Sequence, residues 1–463
     1  MDSGGGEIYM QFDLIVVGGG PGGYSAAFEA ASHKMKVCLV EERELGGTCL
    51  NRGCIPTKTL IHTADLLREL HDGGSFCLVC GTVSADLVSL KAKKESVISA
   101  LRDGLSAQVK AGRIEYISGK GTVVDAHTVE VNGKKLEAED IIVATGSVPA
   151  VPPIPGRELP GVCTSDRILE DLPAFASLII IGGGVIGTEI AGIYEAFGTK
   201  VTLVEALDNL LPALDSELGR SLAQLYKKRG IDVHCKALVK EISSSENGLS
   251  VSIEEKGTVK ELEAESVLIA TGRRANTGVF ACDPPAMEHG RILTDEAGRT
   301  DIPHLYAVGD IAAGYPQLAH TAEAMGINAV CAILGLPLKR DLSMIPSGVY
   351  ASPEIGSVGM TEKEAASASI ACVTGKANTL SNARSLIAGG ERGFIKVTAE
   401  KETGRLVGAV MMCERATDLI QEMAAAIAAG MTTADLLRVV HGHPTFSEAV
   451  LPALEALQKK LEI

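Results

Sequence analysis

An apolar run from Phe12 to Val17 breaks off at Gly18-Gly19-Gly20-Pro21-Gly22-Gly23 and gives way to an alanine-rich stretch. A second apolar run, Val37 to Val40, then ends in the acid Glu41. Short apolar runs bounded by turn residues read as strands, and the stretch between them as a helix. The whole alternation returns further on. Leu178 to Ile181 leads into Gly182-Gly183-Gly184-Val185-Ile186-Gly187, a helical stretch, the run Val201 to Val204, and Glu205. In both copies the acid follows the first glycine by the same interval. Each copy also has a later strand ending in Ala-Thr-Gly: Ile141 to Gly146 and Val267 to Gly272. Two long helices are expected near Thr57 to His71 and Val88 to Ala111. One further strand, Thr300 to Val308 running into Gly309-Asp310, has no counterpart.

The repeated unit is G-x-G-x-x-G in a strand–helix–strand setting. Gly18 and Gly182 allow the tight turn, Gly20 and Gly184 let the backbone reach a pyrophosphate, and Gly23 and Gly187 let helix and strand pack closely. Glu41 is placed to accept hydrogen bonds from ribose hydroxyls. A lone glycine motif is often only a turn. Strand, helix, strand and terminal acid, present twice, imply two bound nucleotides. Glu205 would repel a 2′-phosphate, and Ala206-Leu207-Asp208-Asn209 offers no arginine, so the second site reads as NAD rather than NADP.

Between Gly46 and Lys58 the chain reads GGTCLNRGCIPTK. On a regular helix the spacing of Cys49 and Cys54 would turn the second side chain well off the face of the first, whereas a disulfide needs Cα atoms within roughly 7 Å and converging Cβ vectors. Gly53 and Pro56 could let the segment comply by distorting the turn around Cys54. A bond formed there would be reducible, which suits a cycling thiol. The competing possibility is two buried packing cysteines, the usual fate of free Cys. The dinucleotide motif just upstream favours the redox reading.

Composition narrows the classes. With 463 residues, 46% hydrophobic and 22% charged, the chain can build several cores. A net charge of −15 argues against nucleic acid or an anionic membrane as partner. No apolar run approaches the ~20 residues of a membrane span. The first residues lack the pattern of a secretory or mitochondrial signal, and Met1 to Tyr9 read as a disordered extension. Eleven cysteines, an odd number scattered along the chain, fit a reducing cytoplasm. Cys77 and Cys80 form a C-x-x-C in an apolar, strand-like run with no second pair, so packing is expected and no metal site. Cys38, Cys163, Cys235, Cys282, Cys331, Cys372 and Cys413 are also read as packing residues.

From about Asp13 to Leu457 these motifs resemble the flavin- and NAD-dependent disulfide oxidoreductases, and within them the dihydrolipoamide dehydrogenases. The resemblance implies an α/β fold with two Rossmann-like domains, for FAD and NAD, and a C-terminal α+β dimerisation domain. The expected parts are an FAD domain over 1–150, an NAD domain over 151–275, a central domain over 276–345 and an interface domain over 346–463. A proline-rich linker (Pro149, Pro152, Pro153, Pro155) joins the first two.

Residue by residue, the resemblance implies that Asp310 holds the ribityl chain of a tightly bound, non-covalent FAD. Lys58 would sit by the flavin ring, paired with Glu189. Gly146, Lys120, Ala319, Ala237 and Gly272 would line the nucleotide sites. The segment His441-Gly442-His443-Pro444-Thr445-Phe446-Ser447-Glu448 would supply the base, His443, oriented by Glu448. An imidazole titrates in the range that dithiol chemistry needs. His441 matches the first histidine of that motif, and His320 fits the lipoamide branch.

The implied active unit is a homodimer with shared sites. It would oxidise the dihydrolipoyl group of a multienzyme-complex protein through Cys49 and Cys54, with FAD and NAD⁺ as acceptors. Arg52, Thr321 and Met325 depart from the commonest pattern. The chain shows no lipoyl domain and ends without a cysteine pair, which argues against mercuric reductase. A reductase of a glutathione- or coenzyme A-type disulfide would share every motif. A non-catalytic binding subunit would be expected to have lost a thiol or the base, yet all four residues are present.

Overall fold

A computed structural model describes residues 10–71, 77–79, 81–246, 248–391 and 393–462. Its backbone contacts divide the chain into two units. The first comprises Met1–Pro56, Lys91–Ala150 and Arg273–Leu342; the second comprises Thr57–Leu90, Val151–Gly272 and Ser343–Ile463.

In the first unit, strand Met10–Val17 lies between the parallel strands Val37–Glu41 and Lys134–Val143. Glu115–Ser118 extends one side and Leu305–Ala307 pairs on the other. Leu14 and Val16 enter one core with Ala26, Ala27 and Ala30 of helix Pro21–Ser32. Ile15 and Val17 enter a second core on the opposite face, with Cys38, Val40 and Ile141. Burial on both faces is why the run is apolar without alternation.

The second unit repeats this plan. Ser177–Ile181 lies between Lys200–Glu205 and Ser266–Ile269, all parallel. Leu178 and Ile180 face one core and Ile179 and Ile181 another. Asp232–Cys235 extends the sheet on one side and Val162–Thr164 on the other. In each unit an antiparallel meander precedes or includes the returning strand. The outermost strand is where the copies differ. The first takes it from residues 305–307, far downstream, and the second from residues 162–164, upstream of its own motif.

The C-terminal part of the second unit is built on a five-stranded antiparallel sheet, in the order Ser347–Val349, Ile355–Gly359, Leu406–Met412, Phe394–Glu400, Cys372–Asn378. Ile395, Val397 and Ala399 on one face pack with Ile420 and Met423 of helix Ala416–Ala428 and Leu454 and Leu457 of helix Leu451–Leu461. Among the described residues no helix is long and apolar enough to cross a membrane.

Three expectations need correcting. The strand over Thr300 to Val308 is confined to Leu305–Ala307, because Thr300 and Leu305 bond across a tight turn at Pro303. The strands before Ala-Thr-Gly stop at Val143 and Ile269, with the glycines beyond in left-handed conformation. Cys77 is not in a packed strand. It is exposed, as are Leu78 and Val79, and no described strand pairs with it. Cys80 and Met1 to Tyr9 lie outside the described residues. The two long helices run Cys54–His71 and Leu87–Ala111.

The packing of helix on turn is sterically closed in both copies. A Cβ on Gly23 would come 1.8 Å from the Gly18 carbonyl oxygen, and one on Gly187 1.9 Å from that of Gly182. At Gly184 a Cβ would meet nothing within 4 Å. Gly187→Ala is therefore expected to destabilise the fold by about 1–3 kcal/mol or more, seen as a lowered midpoint of thermal unfolding. Gly184→Ala should leave that midpoint close to wild type; equal effects of the two substitutions would contradict this account.

Candidate functional site

The two nucleotide turns agree bond for bond. Gly18 N–H donates to Val40 O and Gly182 N–H to Val204 O, both at 2.8 Å. Both glycines have positive φ, 110° and 113°, which only glycine adopts without strain. Glu41 Oε2 accepts from Gly19 N–H at 2.6 Å, and Glu205 Oε2 from Gly183 N–H at 2.7 Å. Their other oxygens accept from the N–H groups of Arg43 and Leu207, both at 2.8 Å. Each acid is thus held rigidly at its strand end.

Helices Pro21–Ser32 and Val185–Ala196 begin at Gly20 and Gly184 with no side-chain cap. Space beside both glycines is open: a Cβ on Gly20 would meet only Gly47 Cα, at 3.8 Å. Uncapped helix N–H groups facing open space fit the pyrophosphate of a dinucleotide. Gly272, with φ 112°, follows strand Ser266–Ile269 in the second unit, and buried Ala237 opens strand Ala237–Ser245. Lys120 is exposed between Glu115–Ser118 and Gly121–Asp125 in the first. Lys236, which the sequence reading did not single out, approaches the loop after Glu205. Its ammonium is paired with Asp208 at 3.3 Å.

Asp310 lies in the single helical turn Gly309–Ile311. Its carboxylate accepts from the Ser147 hydroxyl at 2.5 Å, and Ser147 in turn accepts from Arg273 Nε at 2.7 Å. Arg273 Nη2 also donates to Ser147 O at 2.7 Å and reaches Thr48 Oγ1 at 3.5 Å. A guanidinium therefore polarises the hydroxyl that holds Asp310. Helix Ala319–Ile333 of the same unit likewise starts without a side-chain cap, and its Thr321 Oγ1 is buried with no hydrogen-bond partner among the described residues. Such a group fits a polar cofactor edge.

Cys49 belongs to the short helix Gly47–Arg52, and Cys54 opens the next, Cys54–His71. Gly53 separates them. A Cβ there would sit 2.9 Å from Thr48 O, so the chain doubles back on itself at that point. Asn51 Nδ2 ties the loop down by donating to Gly47 O at 2.9 Å and Leu45 O at 3.1 Å. The unusual Arg52 is paired with Glu44. Both cysteines are partly buried. Tyr24 donates to Glu323 at 2.7 Å, and burial, then Glu323, raise its phenol well above the usual range.

In the second unit, Lys58 Nζ lies 3.0 and 2.9 Å from the two carboxylate oxygens of buried Glu189. His443 Nδ1 is 3.0 Å from Glu448 Oε2, and Glu448 Oε1 accepts from Thr445 N–H at 3.0 Å. A carboxylate can only accept, so a neutral His443 carries its proton on Nδ1 and keeps an Nε2 lone pair for a substrate proton. The hydrogen bonds from His443 and Thr445 hold Glu448 below the usual carboxylate range. The imidazole is 72% exposed, open to a partner or substrate. His441 is held between Glu422 at 2.8 Å and Val439 O at 3.1 Å. The thiols thus belong to the first unit and the base pair to the second.

Sequence reasoning missed Asn51, Ser147, Arg273 and Tyr350. Asn51 was visible as a polar residue inside the cysteine motif. The others have partners more than a hundred positions away and no local signature.

Residues 12–326 match the pyridine nucleotide-disulphide oxidoreductase family, and residues 345–454 match its dimerisation domain. Dihydrolipoyl dehydrogenases of Bacillus subtilis, Geobacillus stearothermophilus and Chlorobaculum tepidum are 35%, 36% and 37% identical, each over 97% of both chains. The solved structure of the HOCl-induced flavoprotein disulfide reductase RclA from Escherichia coli, a Cu(II) complex, is similar with a TM-score of 0.84 and 27% identity. That match covers 96% of this chain and 99% of the other. Two repeated nucleotide turns, a paired-cysteine loop and a matching C-terminal domain all fall within these matches, and the chain belongs to the pyridine nucleotide-disulphide oxidoreductases.

Proposed function

We propose that this chain is a dihydrolipoyl dehydrogenase that oxidises protein-bound dihydrolipoyl groups with NAD⁺ as final acceptor. The observation that carries the reading is the His443–Glu448 pair, a base with its orienting acid, in a chain that also retains Cys49 and Cys54. Similarity over 97% of each chain to enzymes of that name supports it. We also propose the four parts set out from the sequence, a homodimer with shared sites, cytoplasmic residence, and service as third component of a 2-oxoacid dehydrogenase or glycine-cleavage complex.

In this reading His443 Nε2 takes a proton from one thiol of the dithiol, and the thiolate attacks Cys49 Sγ. The Cys49–Cys54 bond breaks and Cys54 leaves as thiolate. The second substrate thiol then displaces Cys49, passing its proton to the departing Cys49 sulfur as the lipoyl disulfide closes, so the dithiol loses two electrons and the cysteine pair gains them. Glu448 holds the imidazole in register and stabilises the imidazolium while it keeps the proton. Lys58, four residues after Cys54 on the same helix, favours the Cys54 thiolate. Asp310, backed by Ser147 and Arg273, and the uncapped turns at Gly20 and Gly184 would hold FAD and NAD. The bound flavin supplies two-electron transfer from thiol to nicotinamide, chemistry no side chain offers.

Turnover of dihydrolipoamide with NAD⁺, set beside reduction of glutathione and coenzyme A disulfides with NADH, tests the substrate. The reading requires the first to dominate.

The thiol roles give a sharper expectation. Cys49→Ser should retain a Cys54 thiolate beside oxidised flavin and show a long-wavelength charge-transfer band. Cys54→Ser should show none, and neither should turn over dihydrolipoamide. A band in the Cys54 variant alone would reverse the assignment.

Nucleotide choice follows from Glu205, whose carboxylate is held at the strand end by the N–H groups of Gly183 and Leu207, and from Lys236, which is paired with Asp208. A 2′-phosphate against that carboxylate costs a few kcal/mol. NAD⁺ should be preferred over NADP⁺ by about 100-fold or more in kcat/KM, and comparable values would overturn this assignment.

A further inference from the structure

Tyr350 stands at a junction that the proposed mechanism does not use. It follows strand Ser347–Val349 and lies between Val349 and Ala351, both buried, so its backbone is set by packing. Its N–H donates to Glu189 Oε1 at 2.9 Å. Its ring lies beneath Lys58, with Nζ 4.5 Å from the centroid. The same Glu189 oxygen faces Lys58 Nζ at 3.0 Å. One residue therefore grips both members of the ion pair, the carboxylate through its backbone and the ammonium through its π face.

The arrangement has a physical purpose. A lysine ammonium is a compact charge on a flexible four-carbon stem, and a single carboxylate leaves its direction loosely defined. Glu189 is only 4% exposed, so it gains little from water and depends on its donors. The ring adds an attraction of the cation–π kind, strengthened where water is partly excluded. Together these confine Nζ to a narrow region at the start of helix Cys54–His71.

We propose that Tyr350 is a positioning residue for Lys58: its ring face and backbone N–H hold the lysine charge where it favours the Cys54 thiolate in the reduced enzyme. The inference rests on the role given to Lys58 under the proposed function.

The test uses the FAD-loaded enzyme reduced by two electrons, and reads the long-wavelength charge-transfer band at fixed pH together with flavin content and thermal midpoint. Tyr350→Phe keeps a π face and should retain the band. Tyr350→Leu removes the face and should lose half or more of it, with flavin content unchanged. Tyr350→Met fills similar space without a ring and should behave as Leu does, which keeps the test usable if the Leu variant folds poorly. Lys58→Met should also weaken the band, and adding Tyr350→Leu to it should change nothing more.

A wild-type band in both Tyr350→Leu and Tyr350→Met overturns the proposal. So does equal loss in Tyr350→Phe, or a further loss in the double variant. A wild-type band in Lys58→Met would instead remove the role of Lys58 itself, and the inference with it.

Discussion

The nucleotide turns depend on one steric constraint: a helix backbone laid directly on a turn carbonyl. At Gly23 over Gly18 O, and at Gly187 over Gly182 O, no side-chain carbon can intervene. This closeness brings the first N–H groups of each helix to the end of the central strand, beside the acid that closes the neighbouring one. The acid then bonds back to the turn. Strand end, helix start and carboxylate become one rigid object, built twice from the same local instructions.

Because those instructions are local, they were legible in the sequence. The glycine spacing, the apolar runs and the terminal acids Glu41 and Glu205 are all short-range patterns. Burial on two faces forbids polar residues within the strands, so Leu14 to Val17 and Leu178 to Ile181 announce themselves. The break at Gly53 was legible for a similar reason, since a crowded carbonyl selects for glycine.

What escaped notice is long-range or marginal. The outer strand of the first unit is three residues long, and the turn at Pro303 removed the rest of the expected run. Cys77 follows no periodicity, and among the described residues no strand pairs with its exposed neighbours Leu78 and Val79. Ser147 and Arg273 are separated by 126 positions, Glu189 and Tyr350 by 161. Serine, arginine and tyrosine occur everywhere on protein surfaces, and only the folded backbone shows which of them support Asp310 and Lys58. The charges that matter here are each backed by a second polar group: Asp310 by Ser147, Glu448 by Thr445, Glu189 by Tyr350.

We propose that the sulfurs of one chain work with the base of another, and subunit exchange tests this most directly. Homodimers of His443→Gln and of Cys49→Ser should each fail to turn over dihydrolipoamide. Mixed under conditions that exchange subunits, they should regain partial activity. Each heterodimer then holds one intact site, with Cys49 and Cys54 from one chain and His443 and Glu448 from the other. If tagged pull-down shows that heterodimers have formed and the mixture still has no activity, the base does not act across the interface and the account is wrong.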